Sequence, residues 1–337
     1  MRHTENRSRH LWTGLLLSLL TLPASAETLA EKLDLRYTPV PLHRKDPALR
    51  QVGRLIYRGG LHLEPAKQHA RFGEISGLLV SPDGRRLLAV QDFGWWLTAE
   101  LVHDENGDLV GIRDAFVAPM LGADGSALTG KDADAEALAL PAGQGFGGDV
   151  LVSFERHHRV DRYPFGAHGF AARPQPLPMP AALHEAPRNG GLESITTLQD
   201  GRLLGITEMY VNDDGDLQGW LVQGEQFDSV SLLLHGAFAA TDLASLPGGD
   251  VVVLERLFLP GFARSMRIRR IPAISLRPGA VLDGEILAKL DRHYNIDNME
   301  ALAVRTTADG RTLLYIASDD NQSPRQRTLL LLFELAR

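Results

Sequence analysis

The chain has 337 residues, with 35 Lys and Arg against 42 Asp and Glu, a formal net charge of −7 and no cysteine. An acidic balance suits neither nucleic acid nor an anionic membrane surface. The absence of cysteine excludes thiolate metal sites, disulfide exchange and a cysteine nucleophile, so the fold must be held by burial alone.

Residues 1–26 have the pattern of a secretory signal peptide. Arg2, Arg7 and Arg9 come first, an apolar run over 11–22 follows, and Ala24-Ser25-Ala26 meets the small-residue cleavage rule. A cut between Ala26 and Glu27 is predicted, with a periplasmic or secreted product. Losing three Arg and one Glu would take the formal charge from −7 to −9. The run is shorter than the ~20 residues of a spanning helix, and no later stretch approaches that length, so no stable membrane span is expected. Residues 27–52 read as an N-terminal extension and 53–337 as one domain.

From Glu74 onward the chain repeats at a period of about 50 residues, the mark of a repeat fold. Five times an acid opens an apolar strand, a turn follows, and the next strand closes on another acid. The pairs are Glu74 with Asp92, Glu136 with Glu155, Glu193 with Glu208, Asp242 with Glu255, and Glu300 with Asp319. Turns such as Asp83-Gly84, Asp200-Gly201 and Gly248-Gly249 tolerate the positive φ of tight hairpins. Two further strands fit after most pairs: 96–103 and 109–116, 159–164 and 170–177, 217–223 and 229–235, 266–271 and 285–290. Four strands make a propeller blade. The last repeat runs out after 328–334, and a strand from 53–63 is expected to complete it and close the ring. The expected fold is therefore an all-β propeller of five four-stranded blades. Six is the alternative, if the interval between Asp92 and Glu136 hides a degenerate blade.

A hairpin returns to the side from which it started, so the acids should collect at one mouth of the ring. Like charges at ~4–6 Å raise one another's pKa, unless a cation or a basic side chain intervenes. Oxygen donors suit a divalent cation, Ca²⁺ ahead of Mg²⁺ or Mn²⁺, and disfavour zinc. The expected ligands are Glu74, Glu136, Glu193, Glu208, Asp242, Glu255, Glu300, Asp319 and Asp320. The competing expectation is that these acids anchor hairpins by accepting backbone N–H groups.

Arg156 and Arg256 follow closing acids, while Lys131 and Arg188 precede leading strands. With Asn321 they are expected to bind a small anionic substrate, phosphate esters first, because Arg suits bidentate recognition of such groups. In the competing expectation Arg156 and Arg256 neutralise neighbouring acids, and Arg267 and Arg269 are solvated strand positions. There is no Gly-x-Ser-x-Gly elbow, which leaves activated water as the expected nucleophile. Glu193, Glu300 and His157 are the candidate catalytic groups.

The segments Gly191-Leu192-Glu193-Ser194-Ile195, Leu254-Glu255-Arg256, Asn298-Met299-Glu300-Ala301-Leu302 and Ser318-Asp319-Asp320-Asn321 resemble those of the "esterase-like activity of phytase" family, exported bacterial propeller proteins. The resemblance spans Gly53 to the C-terminus and implies a β-propeller hydrolysing phosphoric or carboxylic esters. Gln322 stands where that resemblance would place an aromatic residue, and no catalytic set carries over. The functional expectation is an exported, monomeric propeller hydrolase acting on phosphate esters with a bound divalent cation. The alternatives are a non-catalytic propeller that binds a ligand or envelope protein with structural calcium, and a metal-dependent carboxylesterase or lactonase.

Overall fold

The computed structural model describes residues 29–67, 71–259 and 263–336. The predicted signal peptide lies outside the described residues. No helix among them is long and apolar enough to cross a membrane.

Short apolar strands separated by glycine-containing turns build five sheets. Their innermost strands are Ile75–Val80, Ala135–Ala139, Ser194–Thr197, Ala239–Ser245 and Asn298–Thr306. Each packs against the next in that order, and the last packs against the first. The molecule is thus a closed five-bladed β-propeller. The interval that might have hidden a sixth blade is filled by Trp95–His103 and Leu109–Pro119, the outer strands of blade one. Ring closure follows the expectation: Leu55–Pro65 pairs antiparallel with Thr328–Leu335.

Three details depart from a plain four-stranded repeat. Glu31–Leu33 adds a strand to the outer edge of blade one, and Leu35–Pro39 adds one to Leu55–Pro65 of blade five. Both cover edges that would otherwise be open to pairing with another chain. In blade two the strand expected over 170–177 is replaced by two short helical turns, Phe165–His168 and Gly169–Ala171, and a two-residue strand, Gln175–Pro176. Pro174, Pro176, Pro178 and Pro180 lack the N–H that a longer ladder needs. Blade three instead gains Val281–Leu282 as a parallel edge strand.

The core lies between blades. Leu87 and Ala89 pack with Ala301, Ala303 and Tyr315 of blade five, whereas Leu88 and Val90 pack with Leu138, Val150 and Val152 of blade two. One strand therefore feeds two cores with alternate residues, which is why its sequence is apolar without interruption.

One irregularity positions the site. The inner hairpins of blades one, two, four and five each carry a register shift near their acid-bearing ends. The unpaired extra residues are Ser76, Glu136, Thr241 and Glu300 respectively. A β-bulge of this kind kinks the strand and re-aims a side chain.

Candidate functional site

Nine carboxylates line one cavity of about 480 Å³. Blade one contributes Glu74 and Asp92, blade two Asp134, Glu136 and Glu155, blade three Glu193 and Glu208, and blade five Glu300 and Asp319. Arg156 and Arg256 are the basic residues in the same lining. Hairpin ends hold the acids at one edge: the Asp92 N–H donates to the Glu74 carbonyl at 3.1 Å, and the Glu155 N–H donates to the Asp134 carbonyl at 2.9 Å. Glu74, Arg156 and Asn321 have φ of 49°, 53° and 48°. Left-handed backbone in residues other than glycine costs on the order of 1 kcal/mol each and tends to cluster at functional sites.

Two groups of carboxylates are tight enough to share an ion. Asp92, Glu300 and Asp319 form one, and Asp134, Glu136 and Glu155 the other; in each, one oxygen per residue lies within 4.8 Å of the others. In the first group the Ser76 hydroxyl donates to Asp92. The Asn298 amide donates to Glu300 Oε1 at 2.6 Å and to Asp319 Oδ2 at 3.0 Å. In the second, the N–H groups of Gly190 and Gly191 both donate to Glu155 Oε1. Gly190 suits this approach because its φ of 141° is a conformation that side chains resist. Arg156 Nε sits 2.6 Å from Asp134 Oδ2. Arg256 joins blades three and five, with Nη2 2.9 Å from Glu208 Oε1 and Nη1 2.7 Å from Glu300 Oε1.

These contacts do not balance the charge. Burial, then Asp319 and Asp320, push Glu74 up to about 7. Burial raises Glu155 to about 7 against the pull of the two glycine N–H groups. Asp319 rises to about 6, again chiefly through burial. Burial followed by like charge drives Asp92, Glu136 and Glu193 well above the usual carboxylate range. Glu300 is also raised well above it by burial, although Arg256 opposes the shift. Burial works against the charge on Arg256, but Glu300, Glu208 and Glu193 outweigh it and hold the guanidinium protonated more firmly than usual.

Blade four behaves differently. Asp242 and Glu255, expected among the cation ligands, are absent from the cavity lining. Asp242 accepts the N–H groups of Leu243 at 2.7 Å and Leu302 at 2.6 Å. Thr241 occupies the bulge position held elsewhere by Glu136 and Glu300, so Asp242 comes one residue late, and a one-residue shift turns a strand side chain to the other face. Glu255 is clamped by Arg267 Nε and Nη2 at 2.7 and 2.8 Å and by Arg269 Nη2 at 2.7 Å. Those arginines are not solvated strand positions: Arg267 is 4% exposed and Arg269 0%.

Other expected residues also fall outside the lining. Asp320 is used in support, accepting the Glu74 and Gln322 N–H groups and the Thr328 hydroxyl. Lys131, Arg188 and His157 are exposed and not part of the cavity wall. His157 Nδ1 lies 2.7 Å from Asp132 Oδ1 instead. Asn321 does line the cavity, and its N–H donates to Asp319 Oδ1 at 2.6 Å. Three wall acids stand outside the expected ligand set, Asp92, Asp134 and Glu155. The alternation Asp132-Ala133-Asp134-Ala135-Glu136 was a readable signal for the second, since alternate residues share a strand face.

The family model "Phytase-like: Esterase-like activity of phytase" matches residues 70–322. No curated protein matches the chain. Among solved structures, a protein of unknown function from Bacteroides caccae is similar at 11% identity and a TM-score of 0.32, over 74% of this chain and 70% of that one. The Cps50 (Swd1) β-propeller domain of Myceliophteria thermophila is similar at 10% identity and a TM-score of 0.38, over 88% of this chain and 98% of that one. The span of the family match, which covers most of the propeller, establishes that the chain belongs to the phytase-like family described as esterase-like activity of phytase.

Proposed function

We propose that the protein is an exported, divalent-cation-dependent hydrolase of phosphate esters. The observation that carries the reading is the convergence of nine carboxylates on one cavity whose lining holds two guanidinium groups. Export is supported by the pattern of residues 1–26.

The donor set fits a hard cation. Both tight groups consist of carboxylates alone, with neither thiolate nor imidazole, and Ca²⁺ prefers oxygen ligands in number. Asp92, Glu300 and Asp319 would hold one ion, and Asp134, Glu136 and Glu155 would offer a second position. A divalent cation there supplies Lewis-acid polarisation of the phosphoryl group and makes water a better nucleophile near neutral pH.

The chain's own groups do the rest. Arg256, anchored on both sides by Glu208 and Glu300, keeps a positive charge at the cavity wall, where a phosphoryl oxygen can be received. Arg156 does the same from blade two, oriented by Asp134. Glu193 forms no salt bridge among the described residues, and burial with neighbouring charge raises its proton affinity. A carboxylate so tuned suits the transfer of a proton from attacking water or to a leaving alcohol.

The test is turnover of 4-nitrophenyl phosphate, bis(4-nitrophenyl) phosphate and inositol hexakisphosphate after chelator treatment, then with Ca²⁺, Mg²⁺ or Mn²⁺ restored. Cation-dependent turnover is expected, with Glu193→Gln lowering kcat by about 100-fold. No turnover of any of the three under any cation would end this reading.

A further inference from the structure

A second cavity, of about 470 Å³, opens beside the acidic mouth between blades three and four. The two linings share Glu208, Met209 and Arg256, so the cavities adjoin. Chemistry changes abruptly at that seam. Beyond Glu208 and Arg256 the second cavity presents Met209, Val211, Leu217, Leu234 and Phe238, together with two alanines, and no other charged residue. Met209 is 57% and Val211 45% exposed, two of the few large apolar side chains that the described surface leaves to water. Phe238 is held as a fixed wall: the Arg267 guanidinium lies 4.3 Å and the Lys289 ammonium 5.3 Å from its ring centroid. Leu217 and Phe238 are the buried members among these large apolar lining residues.

An apolar recess joined to a charged centre is the usual form of a site that takes one polar and one apolar portion of the same ligand. We infer that the substrate is amphiphilic: its anionic ester head enters the acidic mouth, and an aliphatic or aromatic group lies in the recess between blades three and four. This rests on the reading of the mouth as an ester-hydrolysing centre. Arg256 stands at the junction and faces both portions, while the polarizable, unbranched Met209 can adjust to chains of different width. A wholly polar polyphosphate fills the mouth alone and leaves the recess wet, so it is the poorer ligand.

Calorimetric titration of the full-length mature protein in excess calcium chloride tests the idea without requiring turnover. The probes are methyl, butyl and octyl phosphate, with octanamide as a neutral-headed chain. Affinity is expected to climb about two- to fourfold per methylene as the chain enters the recess, the upper figure for full burial, and Val211→Glu should flatten that slope. The wild-type series stands by itself if the variant does not fold. Equal affinity for methyl and octyl phosphate overturns the inference and leaves the phosphate-ester reading intact, as does a slope that a folded Val211→Glu protein retains. If octanamide binds as tightly as octyl phosphate while methyl phosphate does not bind, the recess is upheld and the phosphate head is lost. Binding of none of the probes removes both.

Discussion

Glu255 and Glu136 both belong to inner hairpins, Glu255 fully buried and Glu136 half-buried on the cavity wall, and they meet opposite fates. Glu255 pairs directly across its hairpin with Arg267, and Arg269 reaches it from the same strand. Glu136 sits on a bulge among Asp92, Glu155 and Asp134, and forms no salt bridge among the described residues. Blade four thus resolves its buried acid internally, with fixed guanidinium groups, while blades one, two, three and five leave theirs to be resolved at the cavity. A buried ion pair contributes little net stability, yet is expensive to break. A cluster of like charges is the reverse: it strains the fold until a proton or a cation arrives. The same acid-bearing repeat therefore serves as a strut in one blade and as a candidate binding surface in the others.

The comparison breaks most visibly at Arg269. Arg269→Met leaves Glu255 held by Arg267 alone and should cost about 1.5–3 kcal/mol in chemical denaturation, with no dependence on added calcium. Glu193→Gln should do the opposite in chelator-treated protein, leaving stability unchanged or higher because one of the crowded charges is gone. Comparable losses from both substitutions would show that the mouth acids are struts like Glu255.

A smaller and more diagnostic effect is expected from pH. Glu74 and Glu155 are raised to about 7 from 4.5, and Asp319 to about 6 from 3.8. Groups raised in this direction bind protons more tightly in the folded state. Between the unfolded and folded values the native protein carries more protons, so stability falls as pH rises from about 4 to about 7 and then levels. Chelator-treated protein should show that decline in thermal melts. Excess calcium should flatten it, and apparent calcium affinity should climb over the same window as protons cease to compete. A flat profile without calcium would mean that the mouth carries no strained charge.

How far the chain announces this arrangement differs from one level to the next. Blade count, hairpin order and closure by the strand from 53–63 follow from hydrophobic periodicity and turn chemistry, which act locally and are read directly. The gathering of acids also follows, because hairpin geometry alone returns each closing acid to its start. What stays hidden is register. Nothing in Thr241-Asp242 signals that the threonine takes the bulge and sends the acid into the backbone of blade five, since bulge placement depends on packing against the neighbouring blade. The clamp on Glu255 was nearer to hand: counting back across the hairpin places Arg267 opposite it. Buried arginines are uncommon enough that strand alternation by itself argues for solvent there. Asp320 misleads for another reason, because it directs the turn that presents its neighbours.

The least effect is expected at His157, and it sharpens the boundary of the mouth. Sequence proximity to Glu155 suggests a general acid, but the ring is exposed, bonds Asp132, and is absent from the cavity wall. General acid–base roles demand hydrogen-bond reach to the reacting group, directly or through one water. His157→Ala should therefore leave kcat and calcium affinity within about twofold of wild type, since surface changes away from a site usually shift energies by no more than ~0.5 kcal/mol. Glu193→Gln, measured beside it, must fall far outside that range. A loss at His157 matching the loss at Glu193 would mean that the substrate reaches over the rim to blade two's outer loop, and the catalytic boundary drawn around the nine carboxylates would have to move outward.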